Sequence, residues 1–245
     1  MVKRLLQVLY AVVLVHVLWA LFSLMIDRPL FPTPWAVYAN LPRLFEQDLW
    51  LNIWASAYRL GGSLFFATII GVFLGICSVR YKRVGKLLDP LIYLLYPIPK
   101  IAFLPVIMLL FGLGELSKII MITLIIVFQI TIGVRDAVKQ IPQDMYRVLD
   151  VLAASRLQTF VNVTWPASLA GFFSALKIAL GTAIATLFFT EMYGTQYGMG
   201  YYIMDQWNRL DYLAMFGGII ILSAFSFALF ALISVIEHYF LRWQV

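Results

Sequence analysis

Charge is scarce in this chain. Only 12% of its 245 residues are Asp, Glu, Lys or Arg, against about 25% in an ordinary soluble domain. With 63% hydrophobic residues and a mean hydropathy of +0.91, it lacks the polar shell a water-soluble fold needs. Cysteine is almost missing. The lone Cys77 excludes a disulfide framework and a thiolate metal cluster within one chain. Histidine is limited to His16 and His238, so neither a Cys/His nucleophile pair nor a metal centre can be assembled. No catalytic residue and no metal ligand is expected. The pattern G-x-x-x-x-G-K-[ST] does not occur, so the chain cannot hold ATP in the P-loop manner. If it performs work, the energy comes from a partner. Carboxylates are absent from the interior of the apolar runs: Glu191 falls at an outer edge, and Asp89 and Glu237 fall at inner edges. A transporter coupled to an ion gradient usually keeps such groups within its spans as relays. Low-complexity tracts and an obvious inverted internal repeat are missing too.

What remains is hydrocarbon. About 20 apolar residues cross a bilayer, and six such runs can be picked out, at 5–26, 60–79, 91–113, 116–134, 167–190 and 213–236. The expectation is one all-α membrane domain over 1–245. Lys3 and Arg4 precede the first run as in a signal peptide. That run is longer than a signal core and no small-x-small cleavage site follows it, so it reads as a retained span. With the N-terminus inside, the inner segments hold eleven basic residues, among them Arg80, Lys82, Arg83, Lys86, Arg135, Lys139, Arg147, Arg156 and Arg242. The outer segments hold five: Arg28, Arg43, Arg59, Lys118 and Arg209. The asymmetry puts both termini in the cytoplasm. It also accounts for the net charge of +6 without a nucleic-acid partner. On the outer side, Pro29, Pro32 and Pro34 predict an extended turn. An aromatic-rich interfacial helix is expected over 35–54. A glycine- and tyrosine-rich re-entrant or surface loop is expected over 191–212.

One polar stretch stands between the fourth and fifth spans: 146–166, YRVLDVLAASRLQTFVNVTWP. Val148, Leu149, Leu152, Ala153, Leu157, Phe160 and Val161 recur at helical steps, with Arg147, Asp150, Ser155, Gln158 and Thr159 opposite. Pro142 and Pro166 delimit it. The spacing predicts a short amphipathic helix whose small residues Ala153, Ala154 and Ser155 would let it seat in another protein's groove. A helix lying flat on the lipid surface has the same pattern.

Two lysines stand well inside the apolar runs, whereas Lys118 falls at the outer end of the fourth. Lys100 follows Pro97 and Pro99, and Lys177 stands inside the fifth span. A lysine at the bilayer centre costs ~2.5–3.5 kcal/mol on insertion scales, so each should face protein or water. The prolines free backbone carbonyls, which is tolerated where a helix lines a cavity. The pair suggests an anion pathway. Singly, each could be a lysine snorkelling to the membrane surface.

These pieces resemble a known family over nearly the whole chain. The 146–166 stretch resembles the EAA loop of permeases from binding-protein-dependent ABC importers. Its closing proline falls on Pro166, its glycine on Ala153, and its E-A-A on Arg147, Val148 and Leu149. The acidic residue and the glycine are therefore replaced while the spacing is kept. LLDPLIYLLYPIPKIAFLPVIMLLFGLGELSKI (87–119), ASRLQTFVNVTWPASLAGFFSALKIALG (154–181) and TEMYGTQYGMGYYI (190–203) resemble the nitrate, sulfonate, taurine and bicarbonate group. That group has relatives for thiamine precursors and riboflavin. The resemblance implies a type I importer permease fold with its core at 52–245. It implies a second permease subunit, in a homodimer, lining a pathway for a small solute. A cytoplasmic ATPase dimer would grip Arg147, Asp150, Ala153, Ala154, Ser155 and Arg156 and consume the ATP, this chain binding no cofactor. An extracytoplasmic binding protein would deliver the solute. Pro97, Pro99, Lys100, Lys177 and Glu191 would border the pathway or its gates. The alternative is a stand-alone secondary transporter or channel.

Overall fold

The computed structural model describes residues 2–26, 30–46 and 49–242, and these form helices and turns with no strand among them. In chain order the helices are α1 (Val2–Ile26), α2 (Pro34–Phe45), α3 (Leu49–Arg80), α4 (Lys82–Leu95), α5 (Leu104–Phe111), α6 (Glu115–Lys139), α7 (Gln143–Val151), α8 (Arg156–Thr159), α9 (Trp165–Glu191), α10 (Met199–Asn208) and α11 (Tyr212–Phe240). Pro29 of the expected outer turn and Arg28 of the outer basic residues lie outside the described residues, as do the side chains of Lys3 and Arg4.

Among the described residues, five stretches are long and apolar enough to cross a membrane: Leu9–Ile26 of α1, then α3, α6, the run Arg156–Glu191 and α11. The sixth expected span, 91–113, is not one helix. It is a pair, Lys82–Leu95 and Lys100–Phe111, bent by 87° at the break. Pro97 and Pro99 cause this, since each lacks the N–H that would continue the ladder. A one-turn 3₁₀ helix, Lys100–Phe103, leads on into α5. Counted as one span, the bent pair makes six.

Two compact units can be distinguished, Met1–Ser56 with Gln196–Ala224, and Ala57–Thr195 with Phe225–Val245. In the first, the His16 ring bonds Val12 O at 2.7 Å and the Tyr38 hydroxyl at 2.5 Å and stacks on the Tyr38 ring. This is a hydrogen-bonded packing role, in keeping with its isolation in an apolar run. The expected helix over 35–54 is divided: α2 ends at Phe45, and Trp50 and Trp54 belong to α3. The 191–212 segment carries a helix of its own, α10. Gly198, at φ +138°, turns the chain into it. Asn52 Oδ1 and Ser56 Oγ accept the Gly198 and Met199 N–H groups at 2.9 and 2.8 Å, and so cap α10 from the first turns of α3. Burial, with Asp211 and Asp205 nearby, pushes the Tyr202 hydroxyl up to about 12, so it stays neutral.

In the second unit α6 is the axis. Ile122, Ile126, Ile130, Val134 and Val138 repeat every fourth residue and are all buried. Against them lie Leu169, Phe172, Phe173, Ala179, Leu180, Ala183 and Leu187 of α9, and Leu60 and Ala67 of α3. Small residues bring the backbones close. A Cβ added to Gly71 or Gly75 of α3 would strike Ile130 or Val134. One added to Gly133 of α6 would land on the Cβ of Ala175, and one added to Gly171 of α9 on that of Ala137. Hydrocarbon surroundings give apolar side chains no reason to leave lipid, so close packing of this kind supplies the association.

Candidate functional site

The 146–166 stretch is not one helix. α7 ends at Val151, and the chain reverses through Leu152, Ala153 and Ala154 before α8 begins. Ala153 takes φ +52°. Its N–H bonds Asp150 O and the Ala154 N–H bonds Leu149 O, both at 3.0 Å. These are the two bonds of a Schellman stop, with Ala153 at the left-handed position that glycine usually holds. Ser155 then starts α8 with a capping box. Its backbone N–H donates to Gln158 Oε1 at 2.7 Å, and the Gln158 N–H donates to Ser155 Oγ at 3.3 Å. Ala153, Ala154 and Ser155 are therefore the hinge of a helix–turn–helix, not the middle of a helix. Pro166 interrupts nothing. α8 passes through a π turn, Phe160–Thr164, into α9, and Pro166 sits in the first turn of α9. The carbonyl its ring would otherwise strike, on Asn162, lies in that widened turn.

The apolar side of this element is bare. Val151 is 86% exposed and Leu152 and Leu157 are 70% exposed, with Met145 and Val148 beside them. Arg147 pairs with Asp144 at 2.8 Å across one helical turn, while Arg147, Asp150 and Arg156 are themselves exposed. Tyr146 meets Thr164 at 3.3 Å and ties α7 back to the π turn. Because alanine at φ > 0 is strained, Ala153→Gly should stabilise the turn by about 1 kcal/mol. Slower amide exchange at Ala154 in the variant would show it; unchanged or faster exchange would contradict it.

The intramembrane lysines are not alike. Lys100 Nζ donates to Leu95 O at 2.9 Å and Tyr96 O at 3.3 Å, carbonyls at the end of α4 next to the proline break. Leu95 O would be bonded in a continuous helix by residue 99, which is a proline. The ammonium also lies 4.8 Å from the centre of the Phe128 ring. It edges a cavity of 350 Å³ lined by Tyr96, Ile98, Ile101, Ile125, Phe128 and Gln129. Lys177 instead pairs with Glu237 of α11, so its charge is neutralised.

Glu191 is fully buried, and its partner is a residue that span counting places in an outer loop. Arg59, inside α3 and 1% exposed, donates to Glu191 Oε1 at 2.7 Å, to both carboxylate oxygens of Glu115 at 2.5 and 2.6 Å, and to Thr195 Oγ1 at 3.1 Å. Lys118, also 1% exposed, caps Leu113 O, Gly114 O and Gly194 O. This clamp gathers the start of α6, the end of α9 and the third turn of α3. A second ionic cluster joins α4 to α6, with Arg135 on Asp89 at 2.8 Å and on Asp136 at 3.0 Å.

Several candidate spans with a bare helix–turn–helix between two of them suit a membrane transport subunit. Known proteins make that specific. Residues 67–242 match the family described as binding-protein-dependent transport system inner membrane component, and the chain belongs to that family. It is 32% identical over 224 residues to the taurine transport system permease protein TauC of Escherichia coli K12, covering 89% of this chain and 82% of that one. To the formylaminopyrimidine transport permease protein ThiX of Halalkalibacterium halodurans it is 27% identical, covering 93% and 92%. To the nitrate import permease protein NrtB of Synechococcus elongatus it is 29% identical, covering 78% and 72%. The fold is like that of the MetNI methionine ABC transporter in an inward-facing conformation, with TM-score 0.64, 22% identity, and 82% of this chain and 99% of that chain covered. The protein is thus a multi-pass inner-membrane permease of the ABC importer group, with the expected all-helical type I fold.

Proposed function

We propose that this chain is the pathway-forming subunit of an ATP-driven importer for a small organic or inorganic anion. The observation that carries this is the α7–turn–α8 element. Its two short helices are held by a Schellman stop and a capping box, yet Met145, Val148, Val151 and Leu152 are left largely uncovered by the chain. Such a surface is built to be covered. A cytoplasmic ATPase dimer that hydrolyses ATP would cover it and move the element on closing. This chain binds no cofactor itself. Two copies of the chain would form the pathway, and an extracytoplasmic binding protein would supply solute at the other face. The basic inner segments favour cytoplasmic termini.

The relatives named for taurine and nitrate support an anionic substrate, as does Lys100 beside its cavity at the α4–α5 break. In this reading Pro97 and Pro99 open the backbone and Lys100 offers the cation. Lys177–Glu237 and Arg59–Glu191 act as ion pairs at the gates. ATP-dependent movement would swing the spans between inward- and outward-facing forms while those pairs hold or release.

Copurification from native membranes, followed by ATPase assay, tests the reading. A stoichiometric ATPase should accompany the tagged protein and be lost in Leu152→Asp, a substitution at a 70% exposed position that leaves the fold intact. A lone chain that moves solute down an ion gradient without nucleotide would replace this reading with that of a secondary transporter.

A further inference from the structure

A cavity of 610 Å³ in the second unit runs along α3 and the α8–π turn. Its wall is apolar: Ile69, Val72, Phe73 and Ile76 on one side, and Leu157 and Phe160 on the other. Arg80, Tyr81 and Arg156 line it as well. Arg80 is the last residue of one candidate span and Arg156 the first of another, so the cavity's cationic end lies at the membrane boundary. From there to Ile69 is eleven residues of helix, about 16 Å at 1.5 Å per residue. Neither guanidinium forms an ion pair among the described residues, although Arg59, Arg135, Arg147 and Arg209 all do.

We propose that this groove binds an anionic phospholipid, with its phosphate on Arg80 and Arg156 and an acyl chain along Ile69–Phe73. The two ends of the groove make contradictory demands on any simpler ligand. A small water-soluble anion would satisfy the arginines and leave the wall empty. A neutral hydrocarbon would fill the wall and leave two cations at its mouth. A phospholipid of negative net charge meets both, since guanidinium groups fork onto phosphate oxygens and basic residues at the surface attract anionic lipid. Tyr81 at the same level suits the head-group zone.

Cys77 lines this groove and is the chain's lone cysteine, so it reports occupancy directly. The test places the full chain in nanodiscs of phosphatidylcholine, with or without phosphatidylglycerol, and follows labelling of Cys77 by N-ethylmaleimide. Phosphatidylglycerol should slow labelling about thirtyfold, the scale of two surface cations acting on an anionic lipid. The double variant Arg80→Gln/Arg156→Gln should lose the protection, and Arg80→Lys/Arg156→Lys should keep part of it. Equal labelling of the native chain in both lipids would overturn the proposal, as would full protection in the Gln variant. A bismaleimide bridge joining the Cys77 thiols of two chains in phosphatidylglycerol discs would overturn it also, by showing a second copy seated in the groove.

Discussion

Arg59→Met should destabilise the protein by about 3–5 kcal/mol, the usual consequence of removing one partner from a buried ion pair. The effect arises less from the lost attraction than from what is left behind. Glu191 has no exposed surface, so its carboxylate cannot exchange the guanidinium for water. Glu115, about half exposed, can recover part of its hydration. Lys118 is near but commits its ammonium to three backbone carbonyls of the 113–114 and 194 turns. Arg59→Lys should fall between, because a point charge cannot serve Glu191 and both oxygens of Glu115 from one planar fork. Combining Arg59→Met with Glu191→Met should restore much of the loss, since the uncompensated charge is gone. Thermal unfolding in detergent would measure all three. A melting temperature in Arg59→Met equal to that of the native chain would show that the clamp contributes nothing.

That clamp is the chief feature that sequence reasoning misses, and the reason is physical. Hydropathy sees α3 from Leu60 onward because Asn52, Ser56 and Arg59 lower the average before it, yet the helix starts at Leu49. A buried arginine that is fully paired looks in the sequence like a loop arginine. A signal is present all the same. The charge count places Arg59 and Lys118 on the outer side and Glu191 at an outer edge, and Glu115 stands three residues before Lys118, so the sequence puts two cations and two anions at one level. The hinge at Ala153 is hidden differently. α7 and α8 are both amphipathic, so the apolar period runs through the turn without a visible fault. Alanine at a left-handed position gives no warning, where glycine would have. Ser155 and Gln158, three apart, spell a capping box and mark a new helix start. By contrast the long apolar helices are plain, because a bilayer leaves the sequence little freedom at those positions. The broken span announces itself in Pro97 and Pro99, although the 87° bend lies in tertiary structure.

Gly133→Leu and Gly171→Leu should each prevent the second unit from folding. The α6–α9 contact is reciprocal, Gly133 receiving Ala175 and Gly171 receiving Ala137 four residues along each helix, so both backbones close onto small partners. A leucine at either position must push the helices apart along the whole seam. The penalty is at least the ~1–3 kcal/mol of an overpacked core. In lipid it is not relieved by the hydrophobic effect, because separated helices are solvated by acyl chains as apolar as they are. The loss would spread along α6, where Ile122 to Val138 bury one continuous stripe. Gly181 provides the control. It lies on the same α9 helix, and a Cβ added there would meet nothing within 4 Å, so Gly181→Leu should yield folded, monodisperse protein in size-exclusion chromatography. Exchange of partners provides the sharper test. Gly133→Ala alone should lower the melting temperature, and adding Ala175→Gly should bring it back, because the pair then holds the same atoms with the small side reversed. If Gly133→Ala melts like the native chain, or Ala175→Gly fails to rescue it, the close approach of α6 and α9 is not what holds this unit together.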